Sequence, residues 1–284
     1  MWALKKCIST VSLGGTVVER IDAIAAAGFD GIELFDADLH GSGLTAAEVA
    51  RRCGDAGLGI ACYGPFRRAE GVPEQEFPDV VARFRAALDV TAALGADTIM
   101  IVSNTDPDAI ADRDHSAGQL AALGAIAAER GVGIVFEALS WGTHISRVAD
   151  ALDLLQRAGY PRRSLVMDTF HLLALGDGDA DVAALPAEVL GLVQLADAAA
   201  VRMDLMQWSR NHRCYPGEGD LDVLAATRAA LGAGFDGAVS LEIFNPRYRE
   251  LPPRQIAQRG ADALRGLLAD CERTIWDRLL PLTA

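Results

Sequence analysis

No run of about 20 apolar residues, the length that spans a bilayer, occurs in the 284-residue sequence. The N-terminal MWALKKCISTVSLGG has no apolar core behind its lysines. Neither a membrane-spanning helix nor a secretory signal is therefore expected. Cysteine is sparse and odd in number: Cys7, Cys53, Cys62, Cys214 and Cys271 lie far apart, and no two form a CxxC pair. That argues against a disulfide framework and a zinc cluster, and makes the reducing cytoplasm the natural compartment. Positive charge is also short, with 26 Lys and Arg against 39 Asp and Glu, a formal net charge of -13. A nucleic acid or an anionic membrane surface would call for the opposite balance. An anionic small molecule is not excluded, because a few local arginines and a metal reverse the field inside a pocket. The first strand candidate is not followed by a phosphate-binding glycine fingerprint; SLGGT (12–16) is too short a match.

Hydrophobic residues make up 51% and charged residues 23%, an ordinary globular balance. Short apolar runs recur: 7–13, 30–35, 58–63, 97–102, 132–137, 164–168, 192–196 and 238–243. Between them lie Ala/Leu/Arg-rich helical stretches near 16–27, 44–56, 77–94, 108–130, 146–158, 181–190, 220–232 and 253–271. The strand runs lack polar alternation, as strands covered on both faces do. Five junctions read helix, Gly, strand, as in AAAGFDGIEL (25–34) and AAERGVGIVF (127–136). Eight such units predict a (β/α)8 TIM barrel occupying 1–284 as a single domain, since about 250 residues suffice for one. The long interruptions, 64–76, 138–145 and 197–219, all follow strands and so fall on the C-terminal mouth, where barrel enzymes carry their sites.

Polar side chains stand where a structural strand has no use for them. Glu137 closes strand five, Asp168 closes strand six, Gln194 lies in strand seven and Glu242 near the end of strand eight. Acids are almost never buried in a barrel unless paired or metal-bound. Four oxygen donors on consecutive strands converge on one divalent cation, and an all-oxygen set favours Mg²⁺ or Mn²⁺ over zinc. Glu33, which closes strand two, reads as a loop anchor or ion-pair partner. His171 follows Asp168 by three residues and offers a general base, a further ligand or a loop anchor. The loop MQWSRNHRCYPGEGDLD (206–222) collects Trp208, Ser209, Arg210, His212 and Arg213, and YGPFRRAEG (63–71) adds Arg67 and Arg68. In so acidic a chain, basic loops on the functional face suit an anionic substrate.

The segments ISTVSLGGT, AAAGFDGIELF, YGPFRRAEG, EALSWGTHI, MDTFHLL, VQLADA, MDLMQWSRNHRCYPGEG and SLEIFNP stand in one order along nearly the whole chain. In that order they resemble the xylose-isomerase-like metal-dependent barrels and, more narrowly, the bacterial 3-dehydroshikimate dehydratase family. QWSRNHRCYPGEG is the most specific of them. The resemblance implies one divalent ion (Mg²⁺, Mn²⁺ or Co²⁺) on Glu137, Asp168, Gln194 and Glu242, with Glu137 and His171 at the chemistry. It implies substrate contacts from Arg67, Ser209 and Arg213. Three departures stand out: Glu218 replaces the Gln expected in PGQG and adds negative charge near the pocket, Thr169 replaces Ser, and no dioxygenase-like domain follows the barrel.

The implied reaction is dehydration of 3-dehydroshikimate, a small carboxylated cyclic substrate, to protocatechuate through a metal-stabilised enediolate. A keto-sugar (or sugar phosphate) isomerase or epimerase using the same metal site is the alternative. An apurinic endonuclease on this barrel needs more histidine and a basic face, and a non-catalytic binding protein has no use for His171. The apolar tail 274–284 either covers the barrel bottom or builds a homo-oligomer interface.

Overall fold

The computed structural model describes residues 3–279. Eight parallel strands close into a barrel, each paired with its neighbours in chain order. They are β1 (Lys5–Ser9), β2 (Gly31–Phe35), β3 (Gly59–Phe66), β4 (Thr98–Val102), β5 (Gly133–Glu137), β6 (Arg163–Asp168), β7 (Leu190–Leu195) and, closing on β1, β10 (Ala238–Leu241). A separate antiparallel pair, β8 (Asp197–Ala198) and β9 (Arg213–Cys214), rides on the loop after β7. Helices α1 (Val17–Ala26), α3 (Ala46–Asp55), α4 (Phe77–Ala93), α5 (Arg113–Glu129), α6 (Val148–Ala158), α8 (Asp179–Ala183), α10 (Val223–Gly232) and α12 (Pro253–Leu279) follow the eight barrel strands in turn. Short helices α2 (Asp36–Gly41), α7 (Thr169–Ala174), α9 (Leu205–Asn211) and α11 (Pro246–Arg249) sit in loops after strands. No helix among the described residues is long and apolar enough to cross a membrane.

The strand side chains divide by parity, as the two-residue period requires. Ile134, Phe136, Leu165, Met167, Val193 and Leu195 face outward into the large core shared with the helices. Val135, Val166 and Leu192, with Cys62, Met100 and Val102, form a second, smaller cluster inside the barrel. Glu137, Asp168 and Gln194 stand two residues beyond Val135, Val166 and Leu192, so the same parity that fills the barrel aims them up its axis.

The sequence boundaries hold at most elements and shift at four. The first strand stops at Ser9, not 13, because residues 10–12 turn into a 3-10 helix. There Ser12 Oγ accepts from Ile243 N–H (2.8 Å), tying the two ends of the barrel wall together. The helix expected from 108 starts at Arg113, where Asp112 caps the N–H groups of Asp114 and His115. The helix expected over 181–190 is the short α8, since Pro186 interrupts it and β7 begins at Leu190. The tail expected after the last helix continues α12 to Leu279; residues 280–284 lie outside the described residues. Gly28, Gly57, Gly95, Gly131 and Gly234, the punctuation glycines, all have positive φ (68° to 104°), the left-handed helix stop for which glycine is suited.

Gly124 lets α5 pass over the Tyr160 ring; a Cβ there would meet Tyr160 Cγ at 2.2 Å. Gly124→Ala gains about 1 kcal/mol of helix propensity. That gain is outweighed by an overpacking penalty of about 1–3 kcal/mol. The variant should show a lower urea midpoint with an unchanged m-value.

Candidate active site

The site is a narrow cleft at the C-terminal mouth of the barrel, lined by Arg67, Glu137, Trp141, His171, Ser209, Arg210, Arg213, Glu242 and Phe244 among others. All three long interruptions contribute to it: Arg67 from the first, Trp141 from the second, and Ser209, Arg210 and Arg213 from the third. Glu137 and Glu242 reach its lining, and further acids lie buried behind them. Glu33, Glu137, Asp168 and Glu242 are all buried, from 2% to 7% exposed, with Gln194 at 0% among them.

Asp168 does two jobs with its two oxygens. Oδ1 caps α7 by accepting from the N–H groups of Phe170 (2.7 Å) and His171 (3.2 Å). That cap fixes the first turn of α7 and places His171 over the site, which explains the spacing of three residues. Oδ2 accepts from Arg213 Nη1 at 2.8 Å. The same Nη1 reaches Glu242 Oε2 at 3.1 Å, so one guanidinium bridges two of the acids. Every nitrogen of Arg213 has a protein partner, the others being Ser209 Oγ and His171 Nε2.

Arg213 is itself positioned from outside the cleft. Asp197 accepts from the backbone N–H groups of Gly217, Gly219 and Leu221, each at 3.0 Å, and so shapes the turn that follows β9. Glu218, in that turn, does not charge the pocket as expected. Its carboxylate is held by Arg259 Nε at 2.6 Å and by the Tyr248 hydroxyl, and it is absent from the cleft lining. Thr169 is buried and bridges β6 to β7, donating to Ala196 O (2.8 Å) and accepting from Ala196 N–H (2.9 Å).

His171 is buried, edge-on to Trp141 with ring centroids 5.0 Å apart. Arg213 Nη2, which can only donate, faces Nε2 at 3.0 Å and so claims that lone pair. The ring proton then sits on Nδ1 and is donated to Ser140 Oγ at 3.0 Å. Ser140 N–H also approaches Nδ1, at 3.1 Å; a neutral donor competes poorly with a guanidinium. Burial, with Arg213 and Arg210 and against the pull of Asp168, holds the imidazole down to about 3, so it is neutral.

The acids are driven the other way. Burial and then Glu242 push Glu33 up to about 8. Burial, Glu242 and Asp168 push Glu137 well above the carboxylate range, and burial raises Glu242 against the pull of Arg213. For Asp168 burial is outweighed by Arg213 and His171, and its pKa is lowered.

This surplus of negative charge fits a cation. Glu33 Oε1, Glu137 Oε1 and Gln194 Oε1 are buried without hydrogen-bond partners among the described residues. Glu137, Asp168 and His171 bring ligand atoms within 4.8 Å of one another, a group that could hold a metal ion. That group includes His171, which sequence reasoning left open between base and ligand, and Glu137 Oε1 lies 3.4 Å from His171 Nε2.

The rim is cationic. Among the described residues the Arg67 and Arg210 guanidiniums have no hydrogen-bond partner, and Arg210 stacks over Phe244 (4.4 Å) and Trp141 (5.7 Å). Arg210 was visible in the sequence only as one of several loop residues; its stacking on Phe244, 34 positions along the chain, left no local signal. Arg68 is not part of the rim. It turns outward to Asp106 (2.5 Å) and Glu76 (3.3 Å).

A family model described as xylose isomerase-like TIM barrel matches residues 21–267. The chain is 37% identical over 271 residues to a 3-dehydroshikimate dehydratase of Pseudomonas putida, covering 95% of this chain but 42% of that protein. It is 27% identical to a 3-dehydroshikimate dehydratase of Neurospora crassa, covering 94% of each. Among solved structures, a xylose isomerase-like TIM barrel/4-hydroxyphenylpyruvate dioxygenase fusion protein superposes with a TM-score of 0.94 at 35% identity. That match covers 98% of this chain and 45% of the fusion. A structure of IOLI protein with a binding zinc atom has a TM-score of 0.82 at 18% identity, over 94% of this chain and 98% of the other, a likeness of fold alone.

Proposed function

The chain belongs to the xylose isomerase-like TIM barrel family, and we propose that it dehydrates 3-dehydroshikimate to protocatechuate. The observation that carries this reading is the division of charge at one cleft: a buried acid cluster beneath a rim of two guanidiniums that have no hydrogen-bond partner among the described residues. A substrate that fits must carry an anion at one end and metal-binding oxygens at the other. 3-Dehydroshikimate has a ring carboxylate at one end and a ketone beside a hydroxyl at the other. The 3-dehydroshikimate dehydratases among its relatives support the same choice. The chain spans less than half of the Pseudomonas putida protein, so the proposal includes that this barrel suffices, working as one unit in the cytoplasm.

Glu137, Asp168, Gln194 and Glu242 would hold the divalent ion, and their hard oxygen atoms suit Mg²⁺, Mn²⁺ or Co²⁺. When bound, such an ion supplies Lewis acidity toward the ketone and its neighbouring hydroxyl. His171 takes the C4 proton at Nε2, the lone pair that Arg213 Nη2 holds before substrate enters, while Ser140 Oγ accepts the Nδ1 proton. The C4 electrons form the C4–C5 double bond as the C5 hydroxyl departs with the proton from His171, giving water. A proton shift from C6 to the C3 oxygen completes the aromatic ring. Arg67 and Arg210 take the ring carboxylate, with Ser209 and Arg213 presenting the wall beneath it. Trp141 and Phe244 flank the ring and exclude water.

The test is incubation of purified protein with 3-dehydroshikimate and Mg²⁺, Mn²⁺ or Co²⁺, following ultraviolet absorbance and product mass. The expected result is a catechol carboxylate lighter than the substrate by one water. Interconversion of ketoses with 3-dehydroshikimate left intact would replace this reading with the isomerase.

A further inference from the structure

Glu33 has no place in the proposed reaction, yet it is a fully enclosed carboxylate in the barrel. It stands on β2, and β2 and β7 are not neighbours: β1 and β10 separate them around the wall. Its hydrogen bond from Gln194 Nε2, at 2.9 Å, therefore crosses the lumen. Both partners are buried, Glu33 4% and Gln194 0% exposed.

A glutamine amide has a donor end and an acceptor end of nearly the same shape. Gln194 pairs along the strands with Asp168 on one side and Ser240 on the other, and stands close to Glu33. In a nest of acids the NH2 end would turn toward the acid cluster, and the amide would then present hydrogens where a cation needs oxygen. Glu33 gives the NH2 group an acceptor oxygen elsewhere. With Nε2 committed there, Oε1 is the end left over, and it is buried with no hydrogen-bond partner among the described residues.

We infer that Glu33 is a positioning residue that holds the Gln194 amide across the barrel so that its Oε1 faces the acid cluster as a cation ligand. This rests on Gln194 being a ligand in the proposed site. A reversed amide would set Oε1 against the Glu33 carboxylate and two N–H groups against the cation, so neither end could be satisfied. Outer partners of this kind orient the ligand and tune the metal.

The experiment is a double-mutant cycle read by Mn²⁺ affinity, with wild type, Glu33→Gln, Gln194→Ala and the double variant titrated calorimetrically at one pH. Glu33→Gln should weaken binding about 10–100-fold. In the Gln194→Ala background the same change should do almost nothing, because there is no amide left to orient. The visible absorption of bound Co²⁺ should shift in Glu33→Gln toward that of Gln194→Ala. Multiplicative losses in the double variant would mean that Glu33 acts only as a charge, and would overturn the inference. Unchanged affinity in Gln194→Ala would overturn the ligand assignment and the inference with it. Glu33→Asp keeps the charge but withdraws the carboxylate by one methylene. It must show the same coupling, and it serves in place of Glu33→Gln if that variant does not fold.

Discussion

His171→Gln is expected to lower kcat for 3-dehydroshikimate about 10²–10⁴-fold, the usual weight of one positioned acid/base, while Mn²⁺ affinity and KM change little. Expelling hydroxide from C5 needs a proton at the oxygen as well as one removed from C4. A buried neutral imidazole can do both in turn, because the proton it takes from carbon is the one it returns. The surroundings of His171 suit that cycle. Ser140 Oγ accepts the Nδ1 proton at 3.0 Å. Trp141 and Phe170 pack edge-on at 5.0 and 5.6 Å and fix the ring plane. Burial lowers its pKa, so the ring rests neutral. Glutamine keeps a hydrogen-bonding end but does not titrate. A variant that binds Mn²⁺ more than about 100-fold weaker, beyond the loss of a metal-orienting partner, would instead make His171 a ligand in the sense of its 4.8 Å grouping with Glu137 and Asp168. Near wild-type turnover would move the base elsewhere.

Much of this site was legible because the barrel repeats itself. Apolar runs that end in Glu, Asp or Gln fix both the strand and its parity. Once Val135 and Val166 are inside, Glu137 and Asp168 must point up the axis. The spacing of Asp168 and His171 also carried a mechanism, since an N-cap and the third residue of its helix share one turn. What stayed hidden depends on pairings far apart in sequence. Glu218 appeared to charge the pocket; Arg259 and Tyr248, 41 and 30 residues on, hold it away. Arg213 read as a free grip for substrate, and the fold spends its donors on Asp168, Glu242, Ser209 and His171. Glu33 read as an anchor or ion-pair partner. Its bond to Gln194, 161 positions away, exists only because the barrel closes.

Metal removal should abolish turnover, and Mn²⁺, Mg²⁺ or Co²⁺ should restore it, but the more telling measurement is stability. In metal-free protein Glu137 is a buried acid with Oε1 unpartnered, raised well above its ordinary range by burial, Glu242 and Asp168. Glu137→Gln removes that repulsion, so the metal-free variant should melt at or above the temperature of metal-free wild type. With metal the order should reverse. A ligand at 100 times its Kd stabilises the folded state by about 2.7 kcal/mol, and wild type should gain on that scale. Glu137→Gln, which trades a carboxylate ligand for a neutral amide, should gain little at the same Mn²⁺ concentration. Its Mn²⁺ affinity should fall by at least about 10²-fold, beyond the 10–100-fold typical of an outer partner. A crossing of the two melting curves on metal addition separates a ligand from a structural acid. A structural acid would lose stability in both states, and a bystander would change neither. Full activity in thoroughly demetallated wild type would end the metal reading, and with it the role of the buried acid cluster.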